Sequence, residues 1–301
     1  MNVRVFGKDT TIKPCVATIG SFDGVHLGHQ HVIAQVVEQA RKRGFDATIV
    51  TFPNHPRQVL HPAFSPQLLT TTEEKEELLA KTEADKVAMI DFTAELALMT
   101  AREFMCNILK ERLQTKVLLI GYDNHFGHDG KHFDDYVEYG KECGIEVMEC
   151  EKWGKAHSST AARNALLAGD VKEANSILGH NYSFEGIVVE GYQNGRKIGY
   201  PTANLQVEES KLIPKNGAYL VKTNAGFGML NIGTRPTLHN GKQRSIEVHI
   251  FDFEGNLYGE KLKIEFLEHL RDEREFDSVD ILRHQLAEDE QECKFKISKL
   301  T

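Results

Sequence analysis

The sharpest chemical pattern in this chain is the run Gly20-Ser21-Phe22-Asp23-Gly24-Val25-His26-Leu27-Gly28-His29. His26 and His29 stand three residues apart, close enough to face one anion together. Ring N–H groups placed so can stabilise charge building on a transferring phosphoryl group. Gly20, Gly24 and Gly28 let the backbone turn tightly and approach a ligand, with Phe22 carried between them. A helix starting at the end of this run would add free N–H groups and a partial positive charge, a natural phosphate seat. Zinc is the alternative chemistry, since His26, His29, His31 and His55 could gather around one ion. No HExxH or Cys–His spacing supports that alternative.

A second cluster is Gly195-Arg196-Lys197-Ile198-Gly199-Tyr200-Pro201-Thr202-Ala203-Asn204. Adjacent cations, glycines, a hydroxyl and an amide oxygen suit a phosphate and Mg²⁺, which prefers hard oxygen ligands. Thr202 and Asn204 lie two apart, on one face of an extended strand. The bland alternative is a hairpin loop with solvated basic residues. Glu247 alternates with apolar neighbours in Ser245-Ile246-Glu247-Val248-His249-Ile250 and is a candidate general base, or simply a solvent-facing strand residue. Ser158, Ser159 and Thr160 offer capping hydroxyls, and Arg163 one turn later could grip phosphate oxygens. Taken alone, that stretch equally describes an ordinary capped helix.

The elements that must hold these residues change character along the chain. The first part alternates β-branched runs with helical periodicity, a βαβ grammar that builds a parallel sheet with right-handed crossovers. Strands are expected at 16–20, 47–52, 86–92, 116–121 and 145–149. Helices are expected at 30–43, stopped by Gly44, after Thr71 and Thr100 (each with Glu three residues on), and at 133–143, 160–167 and 171–178. From about Ser183 the helical patterns stop, and Asn-Gly turns at 194–195, 216–217 and 240–241 separate short alternating segments. Strands at 185–190, 218–223, 228–233, 245–251 and 261–266 imply an antiparallel barrel or sandwich, closed by one helix from near Asp277. The boundary is placed at Tyr182, giving domains 1–182 and 183–301.

The 301 residues carry 36 Lys and Arg against 44 Asp and Glu, a net charge of −8 that disfavours nucleic acid as a partner. No apolar run is long enough to span a bilayer, and the start has no signal-peptide pattern. Cys15, Cys106, Cys143, Cys150 and Cys293 are scattered, which fits reduced cytoplasmic thiols better than a disulfide framework.

HxGH after a first strand is the signature of nucleotidyltransferases that attack the α-phosphate of ATP and expel pyrophosphate. In this order and on these two grammars, the loops resemble the bacterial bifunctional riboflavin kinase/FAD synthetase family. Thr51-Phe52, His55-Pro56, Gly121-Tyr122-Asp123, Phe126-Gly127, residues 231–237, Leu257-Tyr258-Gly259 and Leu270-Arg271-Asp272-Glu273 continue the resemblance nearly end to end. It implies a Rossmann-like FMN adenylyltransferase domain followed by a riboflavin kinase built as a Greek-key β-barrel. It implies riboflavin, FMN, FAD and ATP as substrates and products, with Mg²⁺ as cofactor and no membrane partner. His26 and His29 would hold the ATP phosphates within the loop of Gly20, Phe22, Gly24 and Gly28. Ser159, Thr160 and Arg163 would form a second phosphate clamp. Asp123 would lie in the nucleotide and flavin site, and Arg271 would touch the flavin. In the kinase, Lys197 and Gly199 would border the nucleotide, Thr202 and Asn204 would hold Mg²⁺, and Glu247 would take the proton from the ribityl hydroxyl.

Two other functions compete. Class I aminoacyl-tRNA synthetases share an HxGH-type loop, and Lys296-Ile297-Ser298-Lys299 faintly resembles their lysine loop, but at the far C-terminus of an acidic chain. A flavin carrier without catalysis is the third reading, and the intact Thr202, Asn204 and Glu247 speak against it.

Overall fold

In the computed structural model the described residues are 2–53, 67–121, 125–152, 157–191, 195, 198–236 and 242–299. They form two compact units, Met1–Ser158 and Ser159–Thr301.

The first unit is built on a twisted sheet. Its strands are β1 (Val3–Gly7), β2 (Cys15–Ile19), β3 (Asp46–Thr51), β4 (Lys86–Ile90), β5 (Thr115–Ile120) and β6 (Glu146–Glu149), ordered β1-β4-β3-β2-β5-β6. Every residue of β2 and β4 is buried, as fits strands covered on both faces. Their side chains point alternately to two cores. Cys15, Ala17 and Ile19 join Ala88, Ile90, Leu118 and Ile120 in one; Val16, Ile49, Val87, Val117 and Leu119 join the other.

Helix α1 (Leu27–Arg43) supplies Ile33, Val36, Val37 and Ala40 to the second core and ends at Gly44, whose φ of 68° is the left-handed cap. Helix α2 (Thr72–Ala80) starts at the expected capping box: the Glu74 amide donates to Thr71 Oγ1 at 3.3 Å, and the Thr71 amide to Glu74 Oε2 at 3.0 Å. The helix expected after Thr100 starts at its capping box and changes winding without a gap. Short helices α3 (Ala94–Ala97) and α4 (Ala101–Phe104) precede a π-helical stretch, Met105–Lys110. Helix α5 (Phe133–Cys143) follows β5.

Two features depart from expectation. β1 was not anticipated; it pairs antiparallel with β4 and gives the parallel sheet an antiparallel edge. Its short, half-exposed pattern is fixed by β4 and carries little periodicity of its own. Cys106 and Cys143 are joined in a disulfide, correcting the expectation of unpaired thiols, while Cys15, Cys150 and Cys293 are free and buried. The pair spans 37 residues of sequence, and only the packing of α5 beside the π-helical stretch brings it together.

The second unit begins with a helical pair, α6 (Ser159–Ala168) and α7 (Val171–Leu178). The strands follow: β7 (Ser183–Val189), β8 (Ala203–Val207), β9 (Gly217–Thr223), β10 (Gly226–Pro236), β11 (Lys242–Ile250) and β12 (Lys261–Asp272). They close into an antiparallel barrel ordered β10-β11-β8-β7-β12-β9. β12 returns to pair with β9, so β12-β9-β10-β11 is a Greek key. Closure removes the exposed sheet edges. Tyr219 and Phe184 pack edge-on to Phe266 at 5.2 and 5.4 Å in the interior. The Asn175 amide reaches the Phe266 carbonyl at 2.9 Å, which ties α7 to β12. Helix α8 (Val279–Ile297) lays Leu286, Cys293 and Ile297 on Leu220, Met229 and Phe251. Among the described residues no helix is long and apolar enough to cross a membrane.

Candidate active sites

The sheet order places the first site. The chain runs β2-β3-β4 to one side and then crosses to β5-β6, so the direction of winding reverses between β2 and β5. Ligands of open α/β sheets bind at that switch point, outside the carboxyl ends of the strands. Residues 20–26 leave β2 there. Phe22 and Val25 hold φ of 48° and 39°, in the left-handed region that side chains of their kind avoid. Both are buried beneath the loop, so packing holds the strained turn in place. Phe22 lies under His29 with ring centroids 5.0 Å apart. It supports the loop from the core side.

Asp23 latches the loop from below. Its buried carboxylate accepts from the Leu69 amide at 3.1 Å and from the Thr70 amide and hydroxyl at 3.0 Å. Thr70 Oγ1 in turn accepts from the Gly24 amide at 3.2 Å. His26 is the N-cap of α1, and its Nδ1 accepts from the His29 amide at 3.3 Å. With Nδ1 used as an acceptor, a neutral His26 carries its proton on Nε2. The His26 and His29 rings stack with centroids 3.6 Å apart. Gly28 permits this, because a Cβ there would stand 3.1 Å from the His26 ring and from the His157 carbonyl. His29 Nδ1 is buried and has no hydrogen-bond partner among the described residues. Burial, then His26 and Lys75, holds the His29 imidazole well below its ordinary range, so it is neutral at pH 7.

Sequence reading missed two members of this neighbourhood. Asp23 was hidden in a loop read for its glycines. Lys75 was hidden in α2, although it precedes the buried Leu79 by four residues and so shares the core-facing side of that helix. Lys75 is itself only 6% exposed.

Asp123 and His55 lie outside the described residues, as does Lys197 of the second loop. Among the described residues no three His, Cys, Asp or Glu side chains gather as a metal-binding group. Ser159, Thr160 and Arg163 occupy the first turns of α6, in the second compact unit.

The second site forms where β8 meets β11. Asn204 lies directly across from Glu247, and Asn231 of β10 lies across from Glu247 on its other side. Thr202 Oγ1 donates to Glu247 Oε2 at 3.2 Å. The threonine proton points at the carboxylate, which leaves the oxygen lone pairs free to accept. A Cβ on Gly191 would sit 2.1 Å from the Asn204 amide, so only glycine allows the backbone this close. Gly195 and Gly199 flank a turn that closes through the Tyr200 amide onto the Gly195 carbonyl at 2.9 Å. His249, two residues beyond Glu247, fixes the loop through Nδ1 and the Pro201 carbonyl at 2.8 Å, with its ring edge-on to Tyr200. A cavity of about 110 Å³ opens beside Thr202, lined by Pro201, Val248, Phe253, Leu257 and Tyr258.

Arg271, next to last in β12, makes a two-pronged contact with the buried Asp289 of α8, Nη2 to Oδ2 at 2.8 Å and Nε to Oδ1 at 3.1 Å.

Comparison with known proteins finds two family domains in this chain. A family described as FAD synthetase matches residues 8–162, and one described as riboflavin kinase matches residues 178–297. The bifunctional riboflavin kinase/FMN adenylyltransferase of Listeria monocytogenes is 36% identical, over 95% of this chain and 93% of that protein. Its namesake from Bacillus subtilis is 34% identical, over 92% of this chain and 91% of that protein. The crystal structure of a macrolide-efflux protein from Streptococcus pneumoniae shares 33% identity and a TM-score of 0.86, over 94% of this chain and 95% of that one. With both family domains in order and relatives matched over nearly their whole length, the chain belongs to the bifunctional riboflavin kinase/FMN adenylyltransferase family, which makes FMN from riboflavin and FAD from FMN with ATP as co-substrate.

Proposed function

We propose that residues 1–182 carry out adenylyl transfer and residues 183–301 the kinase reaction, each with the residues named above. In the kinase, Glu247 is the general base. Its carboxylate takes the proton of the ribityl hydroxyl as that oxygen attacks the γ-phosphorus of ATP. The γ-phosphorus–oxygen bond breaks and ADP leaves. The hydrogen bond from Thr202 Oγ1 to Glu247 carries this reading, because it joins two residues 45 apart in sequence at one point. Thr202 and Asn204 present hard oxygen atoms suited to Mg²⁺, which when bound would neutralise charge on the ATP phosphates. Lys197 and Gly199 border the nucleotide. Arg271 is a flavin contact whose guanidinium Asp289 holds in place.

In the adenylyltransferase, a phosphate oxygen of FMN attacks the α-phosphorus of ATP and pyrophosphate departs. Gly20, Gly24 and Gly28 bring the backbone close to the phosphates, with Phe22 supporting from beneath. His26 and His29 donate ring N–H groups to oxygens that gain charge. Arg163, Ser159 and Thr160 grip the departing pyrophosphate, and Asp123 contacts the nucleotide and flavin. Two ATP-consuming reactions support a cytoplasmic location, where ATP is supplied.

The test is a time course with riboflavin, ATP and Mg²⁺, resolved by chromatography. FMN rising first and FAD following is the expected result. Omitting Mg²⁺ abolishes product if the metal assignment is right. Tight flavin binding without turnover would favour a carrier.

A further inference from the structure

Lys75 is a buried cation that the two reactions as described leave without a task. It sits one turn into α2, and its Nζ donates to the Phe52 carbonyl at 2.7 Å, just past the carboxyl end of β3. That position is beside the first loop, because the Gly20 amide bonds to Val50 of β3 and Thr51 Oγ1 bonds to the Ser21 carbonyl. Asp23 binds the segment that leads into α2, so hydrogen bonds tie the start of that helix to the loop. An ammonium carries three donors, and among the described residues Lys75 uses one. Asp23 attracts it, and His29 on α1 lies within range of its charge, with His26 stacked beyond. Glu74, its neighbour on α2, is engaged in the capping box. Burying an ammonium with so few partners is unfavourable, and such a group survives where a ligand completes it.

The chemistry of the site asks for this cation. When a phosphate oxygen of FMN bonds to the α-phosphorus and the bond from that phosphorus to the bridging oxygen breaks, the electron pair leaves with pyrophosphate. His29 is neutral there, so the stacked histidines can donate hydrogen bonds without bringing a full charge from that ring. We propose that Lys75 is a further catalytic residue for adenylyl transfer, its ammonium donating to a phosphate oxygen of bound ATP beside His29. The inference rests on the assignment of His26 and His29 to that reaction. Burial draws Lys75 down to about 8, so its protonated form begins to disappear just above neutral pH in the free enzyme.

The experiment uses the full chain with FMN and ATP, and measures kcat/KM for FAD formation against pH. The native enzyme should lose activity on the alkaline side with a midpoint near 8. Lys75→Met should lower FAD formation about 10²-fold or more. Lys75→Arg should keep more activity than Lys75→Met and carry no alkaline limb, since guanidinium does not titrate there. Lys75→Met should melt no lower than the native protein, because it removes a buried charge. Unchanged FAD formation in Lys75→Met overturns the proposal, as does an alkaline limb that stays in place in Lys75→Arg. Loss of activity together with a lowered first melting transition would assign Lys75 to structure and overturn it equally. His29→Ala separates the two readings: full FAD formation in that variant sinks the histidine assignment itself, whereas loss there with none in Lys75→Met sinks only the lysine.

Discussion

Glu247 depends on Thr202 for its orientation, and the pair explains why each residue type is needed. The Thr202 hydroxyl donates to the Glu247 carboxylate at 3.2 Å, which fixes one of its oxygens. Glu247→Gln keeps the shape and removes the base that the proposed mechanism requires. FMN formation should fall by about 10²- to 10⁴-fold, while FAD formation from supplied FMN stays at its native rate. Chromatographic rates with each substrate separately check both halves of that statement. His29 gives a pH prediction at the same scale. Its imidazole is held well below the ordinary range when folded, whereas in the unfolded chain it takes a proton near about 6.5. Below that pH the unfolded chain binds more protons than the folded one, so stability falls as acid is added and is fully present above it. The first unit should melt lower at about pH 5 than at about pH 7, and His29→Gln should flatten that dependence; an unaltered slope in the variant would show that other groups carry it.

The elements were legible where their signals were local. The capping boxes at Thr71 and Thr100 read correctly because a side chain three residues away satisfies the exposed amides without help from elsewhere. The continuation of α4 as a π-helix was not legible, since Met105, Ile108 and Leu109 suit either winding and only their packing against the sheet decides. The same stretch carries Cys106, whose bond to Cys143 ties it to the end of α5. Closing a loop of 37 residues constrains the unfolded chain by about 2–4 kcal/mol. Reduction should lower the melting of the first unit and leave the barrel unit unmoved, measured by calorimetry with and without a reductant; Cys106→Ser should reproduce the effect. In a reducing cytoplasm the thiol pair would be open, so the purified protein should be the more stable form.

Across the whole molecule, each compact unit has its own core, with the His26–His29 pair in the first and the Thr202–Glu247 pair in the second. The two activities should therefore survive separate inactivation. A mixture of full-length Glu247→Gln and His29→Ala should convert riboflavin to FAD, because one variant makes FMN and the other uses it. Failure of the mixture, with each partial activity intact, would mean that FMN does not pass through solution. The sequence by itself determined the two grammars, the acidic balance and the positions of the two glycine-rich loops. Those signals are carried by composition, by periods of 3.6 and 2 residues, and by glycines whose freedom is intrinsic. The tertiary structure decided which groups meet. Thr202 reaches Glu247 only because β8 and β11 pair in one register, and a slip of one residue would turn Glu247 to the opposite face. Lys75 comes within electrostatic range of His29 because Asp23 bonds Thr70, just before α2, to the loop after β2. Registers and latches of this kind are set by surfaces far apart in sequence that are buried together, and no local pattern records them.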